Sequence, residues 1–69
     1  MNPTTTHTDA WLLGGRTIRL GDTYTLPDGP TGTVTAISEG VEHGDAVWYI
    51  TVRTSLGTSV TRWVPRPGF

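Results

Sequence analysis

Residues 46–54 read Ala-Val-Trp-Tyr-Ile-Thr-Val-Arg-Thr, so Ala46, Trp48, Ile50 and Val52 fall on one parity and Val47, Tyr49, Thr51 and Arg53 on the other. A period of two in a run rich in β-branched and aromatic residues predicts a half-buried strand, because successive side chains of a strand point to opposite faces. Nowhere in the chain do ten residues follow a helical period. The expectation is therefore an all-β chain with residues 46–54 as its central strand. At 69 residues the chain is one small domain, and such a domain removes only roughly 60% of its unfolded surface from water. It has no cysteine, so neither a disulfide framework nor a thiolate zinc site supplements the core. Packing, or a partner, must supply the stability.

The remaining strands announce themselves through turn residues. Arg16, Ile18 and Leu20 share a parity up to Gly21-Asp22, and Tyr24 and Leu26 follow. Pro27-Asp28-Gly29-Pro30 then offers a fixed φ followed by a positive one, as a tight reversal requires. Residues 32–37 alternate again, with a change of parity between Ala36 and Ile37 that predicts a β-bulge. Ser38 to Asp45, with two glycines and three acids around Val41, reads as a loop. Ser55-Leu56-Gly57-Thr58 is a hairpin connection, Ser59 to Val64 the returning strand, and the prolines at 65 and 67 end the ladder. Five or six short strands with frequent turns predict a small barrel or sandwich. The barrel domain is expected over residues 10–69. Residues 1–9 have no apolar side chain after Met1 and are expected to form a flexible arm.

The register of the last hairpin determines its surface, because a slip of one residue exchanges the two faces of the returning strand. Turn chemistry favours a three-residue loop, Ser55-Leu56-Gly57, which pairs Val52 with Val60 and Trp48 with Val64 but turns Arg62 inward against Ile50. A four-residue loop through Thr58 instead pairs Ile50 with Trp63 inside and leaves Arg62 outside. Burying an unpaired charge costs several kcal/mol, against about 1 kcal/mol for a poorer turn. The energies place Trp63 inside. Tyr49, Arg53 and Arg62 are then neighbours on the outer face, either as a tyrosine stem covered by two arginines or as a contact patch.

Composition narrows the chemistry. Six acids against five arginines and no lysine leave a net charge of −1, so bulk attraction to phosphates has no global support. Arginine without lysine, beside fourteen threonines, is the usage of a GC-rich genome such as an actinobacterium or one of its phages. The first nine residues contain neither a basic region nor an apolar stretch, so a signal peptide is not expected, and the expected location is a virion or the cytoplasm. Glu39, Glu42, His43 and Asp45 lie within seven residues but lack the alternate-position spacing of a calcium loop and the imidazole or thiolate set of a zinc site. No metal is expected. The serines have no Gly-x-Ser-x-Gly setting, and Gly29-Pro30-Thr31-Gly32 is followed by neither lysine nor helix. The expectation is a protein that is not an enzyme, with no cofactor, no small-molecule substrate and no membrane partner.

Leu20-Gly21-Asp22 through Gly29, then Gly32-Thr33-Val34-Thr35-Ala36-Ile37, then Trp48-Tyr49-Ile50-Thr51-Val52 resemble the SH3-like barrels of the KOW and Tudor type. Those barrels open with a Gly-Asp pair, continue with a Gly-x-Val strand and close with a Val-rich hairpin. The resemblance spans residues 16–64 and implies a small SH3-like barrel. In composition the chain is also similar to small accessory virion proteins of phages, of the capsid decoration or connector kind. The physical support is a set of handles: a polar arm, an apolar Trp11-Leu12-Leu13 run that cannot all face one core, and a proline-stiffened tail ending in Phe69. The expected function is a non-catalytic protein-interaction module whose partner-binding residues are Trp11, Leu12, Tyr49, Arg53, Arg62, Arg66 and Phe69. Its expected partner is a protein assembly, either a larger structural protein or the chain itself. The alternative is a nucleic-acid-binding barrel in which Arg16, Arg19, Arg53, Arg62 and Arg66 contact phosphates and Tyr49 stacks on a base.

Overall fold

The alternating segment does form the central strand of a sheet. In the computed structural model, which describes residues 6–67, there are seven strands: β1 (Thr6–His7), β2 (Asp9–Leu12), β3 (Arg16–Arg19), β4 (Thr23–Thr25), β5 (Thr31–Glu42), β6 (Asp45–Arg53) and β7 (Ser59–Pro65). One sheet runs β1-β5-β6-β7, with β4 also paired to β5; β2 and β3 form a separate hairpin. All pairings are antiparallel. The five-stranded sheet curls into a half-barrel, and the architecture is all-β and consistent with a small SH3-like barrel. The strand count exceeds the expected five or six because the first residues also join ladders.

The core lies in the concave side of the curl. Val34 and Ile37 from β5, Trp48, Ile50 and Val52 from β6 and Val64 from β7 meet Tyr24 and Leu26. The β2–β3 hairpin covers this face with Ala10, Leu12 and Ile18. The indole N–H of Trp48 donates to the carbonyl of Trp11 at 2.9 Å, tying that hairpin to the sheet. The Gly21-Asp22 turn is fastened twice. The Asp22 carboxylate accepts the Arg19 N–H, and the turn exchanges two main-chain hydrogen bonds of 2.8 Å with Val34.

Four expectations need correction. Residues 38–45 are not a loop: β5 continues to Glu42 and pairs with β6 through Glu42↔Asp45, leaving His43-Gly44 as a two-residue turn. Both turn residues have positive φ, 53° and 83°, the geometry that matches the twist of a hairpin. Glu39, Gly40 and Glu42 are poor strand formers by composition, and the long neighbouring strand recruited them. The β-bulge exists, but it falls between Val34 and Ala36, slightly earlier than expected.

The last hairpin takes the register that turn chemistry favoured: Val52↔Val60, Ile50↔Arg62, Tyr49↔Trp63 and Trp48↔Val64. Gly57 has φ 84°, and Thr54 and Thr58 close the three-residue loop with a 2.9 Å main-chain bond. Trp63 is therefore outside. The feared burial of Arg62 does not arise, because β7 is the sheet's edge and the guanidinium reaches solvent past it, donating to the Thr61 carbonyl at 2.9 Å. An inward-facing charge on an edge strand also discourages pairing with another chain's strand.

Finally, residues 6, 7 and 9 of the expected arm lie in strands: Thr6 and His7 pair with Ser38 and Ile37, and Asp9 with Arg19. Main-chain hydrogen bonding needs no apolar side chain, which is why a polar segment could join. The rest of that arm lies outside the described residues.

Candidate functional site

Each face of the sheet follows from the parity of β6. On the concave face Trp48 is closed in on several sides. His7 meets its ring edge-on with centroids 4.9 Å apart, and the Arg66 guanidinium carbon stands 5.3 Å from the ring centre. Glu39, opposite Trp48 in the ladder, binds both neighbours through one oxygen, at 2.7 Å from His7 Nε2 and 3.2 Å from an Arg66 Nη. This cluster holds β1, β5, β6 and the segment after β7 together, and it leaves Trp48 only 7% exposed.

The convex face is open. Tyr49 and Trp63 stand side by side across the β6–β7 ladder, and Trp63 is 43% exposed. Gly40 lies under the Tyr49 ring, where any Cβ would collide with the ring carbons. That bare backbone lets the ring lie flat and bring its hydroxyl to Glu42, to which it donates. The hydrogen bond to the Glu42 carboxylate raises the Tyr49 pKa above its ordinary value of 10.0, with partial loss of water and the nearby negative charge acting in the same sense.

Beyond this pair, a groove of about 360 Å³ opens at the end of the sheet that carries the His43-Gly44 turn. Val47, Trp63 and Pro65 supply apolar floor and wall, Leu13 reaches in from the β2–β3 tip, and Glu42 and Asp45 stand on the rim. The His43 ring lies 6.3 Å from that of Trp63. Glu42 and Asp45 face one another across the ladder, a like-charge arrangement that is mildly unfavourable by itself. A second, shallower groove is lined by hydroxyls of Thr23, Thr31, Thr33 and Thr35 beside Arg53. Among the described residues no three potential metal ligands gather at one point. Strand alternation explains this for the 38–45 segment, since Glu39 and Glu42 point to opposite faces.

The partner-binding residues named from sequence divide sharply. Trp11 is on the surface, 52% exposed. Leu12 is not, for it alternates into the core beneath the sheet and offers no surface. Tyr49 and Arg53 share the convex face, but Arg62 is on the opposite one, and Trp63 takes the place beside Tyr49 that Arg62 was expected to hold. Arg66 is engaged with Glu39 and Trp48 while also bordering the groove. Phe69 lies outside the described residues. Sequence reasoning missed Trp63, Leu13 and Pro65 as a joint surface, with the buried Val47 beneath them. The signal that could have found them was Gly57, whose left-handed turn sets the register and thereby the exposure of Trp63. No family model, curated protein or solved structure matches this chain.

Proposed function

We propose that this chain is a non-catalytic interaction module, a small structural protein that docks its half-barrel onto a larger protein assembly. The observation that carries this reading is the pair of exposed tryptophans, Trp11 and Trp63, which the core does without. Tryptophan in solvent forfeits a large apolar contribution, and it is among the residues most enriched where interfaces hold their energy. In this reading one contact covers Trp63 and Leu13 at the groove and another covers Trp11 on the outer side of the β2–β3 hairpin, and the location is a virion or the cytoplasm of an actinobacterial host. A capsid decoration or connector role is the finer form of the proposal. It includes no catalytic step, cofactor, membrane or small substrate.

The alternative, a nucleic-acid-binding barrel of the KOW or Tudor type, draws less support from the placement of the arginines. Arg53 is convex, Arg62 lies on the concave rim, Arg66 is paired to Glu39, and Arg16 stands over Tyr24. Such a scatter gives no stripe along which a phosphate backbone could run.

Two measurements separate the readings. Crosslinking and size analysis of native particles or lysate should find the chain in complexes heavier than itself, and Trp11→Ala or Trp63→Ser should release it. Fluorescence anisotropy with single-stranded and duplex oligonucleotides at two ionic strengths should show no tight, salt-sensitive binding. A free monomer in the first, or submicromolar salt-sensitive binding in the second, would sink the interaction-module reading.

A further inference from the structure

The β6 strand begins at the groove and ends at a projection. The turn Ser55-Leu56-Gly57 lies at the opposite end of the sheet from His43-Gly44, and nine residues of strand at about 3.3 Å each separate the two by roughly 30 Å. Leu56, at the tip of this turn, is 91% exposed, the most exposed large apolar side chain among the described residues. Arg53 lies along the same turn, with an Nη 3.8 Å from where a Cβ on Gly57 would sit. One end of the molecule thus carries an apolar knob with a cation beside it, while the other carries an apolar hole with two carboxylates on its rim.

We propose that the groove is the receptor for the Leu56 turn of a second copy of this chain, so that copies associate head to tail. This rests on the interaction-module reading and names one partner for its groove. Leu56 enters between Leu13, Trp63 and Pro65, and Arg53 of the incoming copy meets Glu42 and Asp45, relieving their mutual repulsion. Arg66, which also borders the groove, is already held by Glu39 and leaves the rim carboxylates to the incoming cation. Asp28 sits on the neighbouring β4–β5 turn, but Arg53 is the charge that flanks Leu56. At about 360 Å³ the groove is near the small end of the range for binding pockets, room for the side chains of one turn. Because knob and hole are different surfaces, the contact is heterologous and propagates or closes into a ring instead of stopping at a symmetric pair. An interface this small belongs to the weak, reversible class.

The test is sedimentation and light scattering of the whole chain across about 10 µM to 1 mM. The expected result is an average mass that climbs with concentration. Leu56→Asp, in an open turn where folding is not at stake, should weaken association roughly 30-fold or more. Asp45→Arg should do the same from the other end, and Arg53→Glu combined with Asp45→Arg should restore it. The decisive arm mixes two variants that are each monomeric alone, Leu56→Asp and Asp45→Arg. The first keeps its hole and the second its knob, so the mixture should form a one-to-one pair that grows no further. Trp63→Ala serves as a second hole variant. A monomer at every concentration, self-association that Leu56→Asp leaves unchanged, or a mixture that stays monomeric overturns the proposal. A monomeric chain that still enters larger native complexes overturns only self-assembly, whereas a chain that does neither overturns the interaction-module reading as well.

Discussion

Trp48 and Trp63 are the same residue type on neighbouring strands, one rung apart in the ladder, and they live in opposite worlds. Trp48 sits opposite Val64 on the concave side, with its N–H donated to Trp11 and its ring flanked by His7 and Arg66. Trp63 sits opposite Tyr49 on the convex side, with its ring near His43 and one face left open. What separates them is parity alone. A strand delivers every second side chain to the core whatever its chemistry, and the remainder must be covered by something else or stay in water. The concave face was completed by elements of the chain itself. On the convex face only Val47 of the described residues is fully covered, while Trp63 stays 43% exposed, and that asymmetry distinguishes the part of the molecule that folds from the part that is free to bind.

Substitutions can test this contrast, the largest effect coming from the closed side. Trp48→Ala should destabilise the fold by roughly 3–5 kcal/mol, because it leaves a cavity and unties the β2 carbonyl. For a domain this small that is enough to shift a urea midpoint out of the folded range under many conditions. A loss under about 1 kcal/mol would mean that Trp48 does not hold the hairpin to the sheet.

Gly40→Ala comes next. The new methyl must displace the Tyr49 ring, and overpacking of this kind costs about 1–3 kcal/mol. The Tyr49–Glu42 hydrogen bond should be lost with it, visible as an upfield or downfield move of the Tyr49 ring resonances. An unchanged Tyr49 spectrum would show that the ring does not lie over Gly40.

Trp63→Ala and Trp11→Ala should each change the stability of the isolated domain by less than about 1 kcal/mol, as exposed side chains do away from caps and cavities. Denaturant midpoints decide this directly. A loss from Trp11→Ala as large as that from Trp48→Ala would make Trp11 part of the core and remove it from the proposed interface.

The smallest effect is a titration. Tyr49 should ionise above 10.0, and Glu42→Gln should bring its midpoint back toward the ordinary value. The sign for stability follows from linkage: a folded pKa above the unfolded one gives a contribution fully present below about pH 10 and lost as the pH rises through the folded value. Ring chemical shifts of Tyr49 followed between about pH 8 and 12 read its midpoint. A Tyr49 midpoint insensitive to Glu42→Gln would break the assignment.

The sequence by itself determined the class and the punctuation of this protein. Strict alternation over residues 46–54, the lack of any helical period and the Gly-Asp and Pro-Asp-Gly turns suffice for an all-β chain with β6 at its centre, because side-chain period and turn φ are local properties of the chain. The concave residues Ile50, Val52 and Trp48 were legible for the same reason. Three matters were decided only by the tertiary structure. The segment 38–45 became strand because β6 offered it a partner, which propensity does not record. Residues 6 and 7 joined β5 through main-chain bonds that side-chain patterns do not report. The Trp63 surface turned on whether an inward-facing Arg62 would be buried, and the answer depended on β7 being the last strand of the sheet. A position at an edge is a property of the whole topology, so no local reading of Arg62 and Trp63 could decide which of them the core would take and which the groove would keep.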